Sequence, residues 1–376
     1  MFLTSLNLRS FRNYTEQQIE FQAQKTILVG NNAQGKSNLL EAVELLATLK
    51  SHRATRDRDL VLAGATAGQI LASVERAYGT AELGMTLRSS GRRTVMLNQE
   101  NLRRHLDVLG VLNAVQFSSL DLELVRGSPE SRRNWLDTLL IQLEPIYARI
   151  LQEYHRVLRQ RNALLKEIRQ RQGDAEFVPD LAQLRLWDEQ LAAAGSRVTR
   201  RRARVLDKLA PLAQAVHAEI SGDTEVLEVK YAPNVVWTED APEQVQQAFL
   251  EKIEQRRTAE QHQGTTVVGP HRDDIELTIN ETPAKSYGSQ GQQRTLVLAL
   301  KLSELKLIEE VVGEPPLLLL DDVLAELDPS RQDQLLDTIQ DRFQTLITTT
   351  HVGSFDSQWL KESQILTVEA GRISGS

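Results

Sequence analysis

Gly30-Asn31-Asn32-Ala33-Gln34-Gly35-Lys36-Ser37 is the stretch on which the reading of this chain turns. Residues 25–29, Lys-Thr-Ile-Leu-Val, precede it as a short apolar run suited to a buried strand. Residues 37–46, Ser-Asn-Leu-Leu-Glu-Ala-Val-Glu-Leu-Leu, follow it with helical spacing of apolar side chains. A glycine-rich turn between strand and helix is the context that a phosphate-binding loop requires. The glycines let successive N–H groups converge on phosphate oxygens, and the helix start adds partial positive charge. In this pattern Lys36 reaches the terminal phosphates and the Ser37 hydroxyl faces Mg²⁺. The expected nucleotide-binding set is Gly30, Asn31, Asn32, Ala33, Gln34, Gly35, Lys36, Ser37 and Asn38.

A second motif lies far along the chain. Pro315-Pro316 ends the preceding segment, and Leu317-Leu318-Leu319-Leu320 runs into Asp321-Asp322. An all-apolar run of this length suits a central parallel strand buried on both faces. Carboxylates at its carboxyl end fall where open α/β sheets bind ligands. Asp321 is the expected Mg²⁺ partner and Asp322 the general base that polarises the attacking water. Two acids after a strand can also be a plain turn. Their pairing with the phosphate loop favours the catalytic reading.

Ser289-Gln290-Gly291-Gln292 opens another helix, over about residues 292–311, and supplies a second phosphate-binding helix start. If it lies on the far side of the domain it cannot reach its own chain's nucleotide. A two-fold dimer then lets each such loop face the partner's phosphate loop. The stretch can otherwise be read as a flexible loop.

Residues 288–294, Gly-Ser-Gln-Gly-Gln-Gln-Arg, resemble the signature loop of ABC-type ATPases. Ala325-Glu326-Leu327-Asp328 resembles the loop after their second acidic motif, and His351 in Thr348-Thr349-Thr350-His351 their switch histidine. Within that superfamily the chain resembles the RecF family of bacterial DNA replication and repair proteins. The stretches that carry the resemblance include Phe11-Arg12-Asn13-Tyr14, Ser51-His52-Arg53, Gly127-Ser128-Pro129, Arg159-Gln160-Arg161-Asn162 and Gly269-Pro270-His271-Arg272-Asp273-Asp274. The resemblance implies an ATP-dependent homodimer closed around double-stranded DNA and slow, DNA-stimulated ATP hydrolysis that releases it. It also implies action at single-strand gaps, single-strand/duplex junctions and stalled forks, and partnership with RecR and RecO in loading a recombinase. It makes Lys36, Asp322 and His351 the catalytic set, Ser37 and Asp321 the Mg²⁺ ligands, and Ser289, Gln290, Gly291 and Gln292 the contacts to the partner's nucleotide. No glutamine loop stands out. Gln116 is a candidate that reads better as a strand residue.

The net charge of −7 gives no global sign of nucleic-acid binding, but the charge is uneven. Residues 148–210 hold fourteen Lys or Arg against eight Asp or Glu. Apolar residues recur there at spacings of three and four, which marks two long amphipathic helices broken over residues 173–179. An antiparallel basic arm is expected, with Arg159, Arg161, Arg200, Arg201 and Arg202 as candidates for phosphate contact with duplex DNA. A solvated helix face is the alternative for about half of these residues.

Taken together, the chain reads as an α/β ATPase head of ABC type: a mixed sheet with an antiparallel subsheet around a phosphate-loop core, interrupted by a mainly helical lobe. The expected division is 1–125 for the first part of the head, 126–262 for the lobe and 263–376 for the second part. Residues 3–8 and 17–21 read as a hairpin, as do 70–77 and 81–88, and 275–279 as a strand. Arg12 and His52-Arg53 read equally as contacts to nucleotide or DNA and as ordinary surface. The absence of cysteine fits a reducing cytoplasm, and no apolar run approaches the ~20 residues of a membrane helix. A transporter-type ATPase shares these motifs but places its signature nearer the phosphate loop. An SMC-like tether needs a far longer coiled coil.

Overall fold

The computed structural model describes residues 1–171, 174, 181–339, 342–355 and 357–375. The expected helix break over residues 173–179 therefore lies, apart from Asp174, outside the described residues. The chain forms two compact units: residues 1–122, 215–225 and 289–376 make the first, and residues 123–214 and 226–288 the second. The expected cut at 262/263 falls inside the second unit. Residues 263–288 group with the helical lobe because the strand Asp274–Ile279 pairs with Leu227–Ala232, residue Ile275 lying opposite Tyr231.

The first unit is built on two sheets. In the parallel one, the strand order is Arg372–Gly375, Ser363–Glu369, Lys25–Val29, Thr345–Thr349, Leu317–Asp321, Ala114–Ser118. Only Arg372–Gly375 runs antiparallel. Leu317 to Leu320 are fully buried, as a strand flanked on both sides and covered on both faces requires. The helix Lys36–Thr48 buries Leu39, Leu40, Val43 and Leu46. The apolar strand, the loop and the helix thus follow the expected order.

The second sheet is antiparallel, ordered Tyr14–Glu20, Phe2–Phe11, Ala67–Arg76, Gly79–Arg88, Arg93–Leu97, Glu100–Asn101. Its first hairpin is longer and tighter than the alternation suggests. Phe11 lies opposite Tyr14, so the turn is Arg12-Asn13, with Arg12 at φ 52°. Both aromatic rings are fully buried, which extends the pairing to the turn.

The second unit carries the helices Ile146–Gln170 and Leu181–Ser221, the latter through residue 214. Leu165 and Ile168 near the end of one pack with Leu184 near the start of the other, an antiparallel arrangement. A third helix, Pro242–Gln263, joins them and buries a narrow stripe of Val245, Phe249 and Ile253, spaced by four, that the sequence reading did not use. Among the described residues, no helix is long and apolar enough to cross a membrane.

Candidate nucleotide site

The phosphate loop leaves the carboxyl end of Lys25–Val29 and enters the helix at Lys36. Gly35 occupies the cap position at φ 118°, and a Cβ there would lie 2.7 Å from the Asn13 amide. No other residue fits that turn without strain. No side chain caps the helix and no acid stands in its first turn, so its leading N–H groups face an incoming anion. The loop is braced from outside: Asn13 Nδ2 donates to the Gln34 carbonyl at 2.8 Å and Tyr14 Oη to that of Gly35 at 2.9 Å. Lys36 is buried and its ammonium donates to the carbonyls of Gly30 at 2.8 Å and Asn31 at 3.1 Å. The cation therefore lies folded along the loop, where phosphate oxygens can take over its hydrogen bonds.

Beside it, Ser37 Oγ donates to Asp321 Oδ1 at 2.6 Å, and Thr348 Oγ1 donates to the same oxygen at 2.8 Å. Three oxygens from three elements thus meet at the carboxyl ends of adjacent parallel strands. A hard divalent cation selects such ligands. Among the described residues, no group of three or more His, Cys, Asp or Glu is arranged to hold a metal alone. Asp322 turns into the left-handed region at φ 54°, a conformation aspartate tolerates, and its N–H is held by Thr348 Oγ1 at 2.9 Å. Burial pushes its carboxyl above the usual aspartate range, Lys36 pulls the other way, and Asp321 adds to the rise.

A cleft of about 530 Å³ opens over the loop, lined by Arg12, Asn13, Asn32 to Asn38, Arg53, Asp59, Val61, Ala63 and Asp322. Arg12 and Arg53 both line this cleft. Arg12 is fixed by a bidentate pair with the buried Glu41, at 2.8 and 2.7 Å. Burial raises the Glu41 carboxyl, but hydrogen bonds from Arg12 and Ser51 and the charges of Arg12 and Arg53 bring it below the ordinary range. Arg53 donates to Asn38 Oδ1 at 3.0 Å. Asp59 has no motif of its own, and Thr348 entered the sequence reading only as the flank of His351; the fold brings Asp59 to the cleft and Thr348 to Asp321.

Ser289 caps the helix Gln290–Val312 with a reciprocal pair: Gln292 N donates to Ser289 Oγ at 3.2 Å and Ser289 N to Gln292 Oε1 at 2.8 Å. Arg331 braces this start through Thr295 Oγ1 at 2.8 Å and the Gly291 carbonyl at 3.3 Å, and also pairs with Asp328. None of Ser289, Gln290, Gly291 or Gln292 lines the cleft, and neither does His351, which is exposed. Gln116 lies in the strand Ala114–Ser118, with Nε2 3.2 Å from His52 Nε2.

Two arm candidates for DNA contact must be corrected. Arg161 is fully buried, bonded to Asp188 at 2.8 Å, Glu260 at 2.5 Å and Thr266 at 2.8 Å. Arg202 is likewise buried against Asp137, at 2.9 Å through each of two nitrogens. Neither side chain reaches a phosphate, because its charge is consumed by buried carboxylates. Arg200 pairs with Asp240 at 2.5 Å and Arg201 with Glu144 at 3.2 Å, while Arg159 is exposed.

Fold and site together define an ATPase head of the SMC class, and a sequence model of the RecF/RecN/SMC N terminal domain matches residues 2–372. The DNA replication and repair protein RecF of Gloeothece citriformis (strain PCC 7424) is 74% identical over 381 aligned residues, covering 99% of each chain. That of Rippkaea orientalis (strain PCC 8801 / RF-1) is 72% identical, again covering 99% of each. The chain belongs to the RecF family. A solved structure described as the recombination mediator protein RecF-ATPrS in the RecFOR pathway superposes with a TM-score of 0.91 at 31% identity, covering 100% of this chain and 98% of that one. The Smc head domain of Pyrococcus furiosus superposes at 0.55 with 15% identity over 100% of this chain and 96% of its own, a likeness of fold.

Proposed function

We propose that this protein is a recombinational repair factor that binds ATP and Mg²⁺, closes as a homodimer on duplex DNA near single-strand gaps, and hydrolyses ATP slowly to let go. The observation that carries this reading is the meeting of Ser37 Oγ, Thr348 Oγ1 and Asp321 Oδ1 beside Lys36 and Asp322. In it, the loop N–H groups and Lys36 bind the phosphates, Ser37 and Asp321 hold Mg²⁺, and Asp322 accepts a proton from the attacking water. Ser37 and Asp321 would hold Mg²⁺, which would supply positive charge to offset that of the phosphates. His351, three residues beyond Thr348 in the chain, is assigned the switch role on the family resemblance.

The reading of a dimer is supported by the capped, rigid start of the signature helix, which does not line its own chain's cleft. A two-fold partner gives it a nucleotide to face. The relative described as a DNA replication and repair protein, and the neighbour described as a recombination mediator in the RecFOR pathway, support a repair role with RecR and RecO as partners in loading a recombinase; a cytoplasmic setting belongs to the same proposal. The ATPase head comprises the first unit and the arm lobe the second. A tether of SMC kind is disfavoured by helices of 25 and 41 residues.

The test is sedimentation and DNA binding without lipid or membrane protein. ATP with Mg²⁺ is expected to raise the protein's mass to that of a dimer and to tighten its hold on duplex DNA. A mass and DNA affinity indifferent to ATP would overturn the proposal.

A further inference from the structure

The start of the signature helix has a second holder that no motif marks. Glu225 lies in the turn after the helix Leu181–Ser221, within the first unit, 67 residues before Gln292. Gly222 at φ 63° and Asp223 at φ 57° close that turn, with Asp223 N donating to the Ala218 carbonyl at 2.9 Å. The turn places Glu225 beside the helix Gln290–Val312, where Gln292 Nε2 donates to Glu225 Oε1 at 2.9 Å. On the other side of the carboxylate stands His217, fully buried, with Nε2 3.6 Å from Glu225 Oε2.

Gln292 thus makes opposite use of the two ends of its amide. Oε1 accepts from Ser289 N at 2.8 Å, and Nε2 donates to Glu225. An amide turned over would meet the Ser289 N–H with a donor, and that bond would be lost. A carboxylate only accepts, so Glu225 admits a single orientation of the Gln292 amide. That orientation is the one in which the reciprocal cap with Ser289 closes. A glutamate at 292 would accept from Ser289 N in either orientation, but would set a negative charge at a helix start read here as facing phosphate. A neutral amide, oriented by an acid one hydrogen bond further back, avoids that charge.

We propose that Glu225 is a positioning residue for the signature motif: it fixes the Gln292 amide, which in turn fixes Ser289 for the partner's nucleotide. The inference rests on the dimer reading above. Arg331 holds the same helix start through the Gly291 carbonyl, so the motif is braced from both sides before any nucleotide arrives. Groups set in advance need no further ordering when the dimer closes, and that saving appears as affinity.

The test uses the full chain carrying Glu225→Ala, Glu225→Gln, Gln292→Ala, or Glu225→Ala together with Gln292→Ala. Exchange of the Ser289 amide hydrogen, read by mass spectrometry without nucleotide, reports the contact itself. ATP-driven dimerisation, read by sedimentation, reports its consequence. Glu225→Ala is expected to speed exchange at Ser289 and to weaken the dimer about tenfold, as loss of one hydrogen bond to a charged group does. The monomer's ATP affinity is expected to be unchanged. Glu225→Gln, whose side-chain carbonyl still accepts from Gln292, is expected to restore both exchange and dimerisation. In the Gln292→Ala background, Glu225→Ala is expected to add nothing, since the two residues act as one unit. Unaltered exchange in Glu225→Ala, or costs that add in the double variant, overturns the positioning role. So does faster exchange with a dimer of ordinary affinity. Wild type that stays monomeric with ATP refutes the dimer reading, and with it the role toward a partner, whatever the exchange shows.

Discussion

Ser37 Oγ and Asp321 Oδ1 lie 2.6 Å apart, although 284 residues separate them in the chain. The bond joins the first turn of the helix after the phosphate loop to the carboxyl end of the central apolar strand. Thr348 closes the group because Asp321 and Thr348 are register partners in parallel strands. The site thus depends on strand pairing as much as on its motifs, and its members can be tested one by one.

Lys36→Ala is expected to abolish measurable ATP binding and, with it, ATP-induced dimerisation. Lys36→Arg retains charge but not the compact ammonium that fits between the Gly30 and Asn31 carbonyls. It is expected to bind ATP and hydrolyse it poorly. Nucleotide titration followed by sedimentation reads both, and undiminished affinity in Lys36→Ala would remove the phosphate-loop assignment.

Asp322→Asn is expected to bind ATP and close, but to hydrolyse ~10²–10⁴ more slowly, as loss of a general base does. Asp321→Asn is expected to lose Mg²⁺ dependence as well. A base must be unprotonated, and burial with Asp321 nearby holds the Asp322 carboxyl above the ordinary aspartate range. Hydrolysis is therefore expected to rise with pH through that raised value, with an acid limb at higher pH than a solvent-exposed aspartate gives. Single-turnover rates across pH check this, and a wild-type rate in Asp322→Asn would assign the base elsewhere.

Ser289→Arg is expected to leave ATP binding by each monomer intact and to block closure of the dimer. The substitution also removes the helix cap, which costs about 0.5–2 kcal/mol. The discriminating measurement is sedimentation with ATP at a temperature where the variant is folded. A dimer of ordinary affinity would separate the signature helix from the partner's nucleotide.

Arg202→Ala is expected to destabilise the second unit by about 3–5 kcal/mol, since Asp137 and Asp273 are then left buried without their cation. Arg201→Ala, at a solvent-facing pair with Glu144, is expected to cost no more than about 1 kcal/mol. Denaturant unfolding distinguishes them, and equal midpoints would contradict the buried network.

The loop, the apolar strand before Asp321 and the α/β class of the head were legible because each is written in a few adjacent residues whose chemistry is local. The fate of the arm arginines was not. Arg161 sits on a helix rich in charge, and its partners Asp188 and Glu260 lie 27 and 99 residues away. A solvated cation and a buried one look alike until those partners are placed. The helix Pro242–Gln263 was missed because its apolar stripe, Val245, Phe249 and Ile253, is only three residues wide among many charged ones.

The strand that carries the phosphate loop, Lys25–Val29, lies between Thr345–Thr349 and Ser363–Glu369. A ribosome delivers it first and both its neighbours last. Its two hydrogen-bonding edges must wait through the synthesis of roughly 300 residues, and pairings so remote in sequence form slowly. ATP cannot act as an early guide to folding, because the pocket that would bind it does not exist until translation is nearly done. The nucleotide stabilises only finished molecules, by mass action on the folded state. A chain stalled late in synthesis therefore has every residue of the loop and no site.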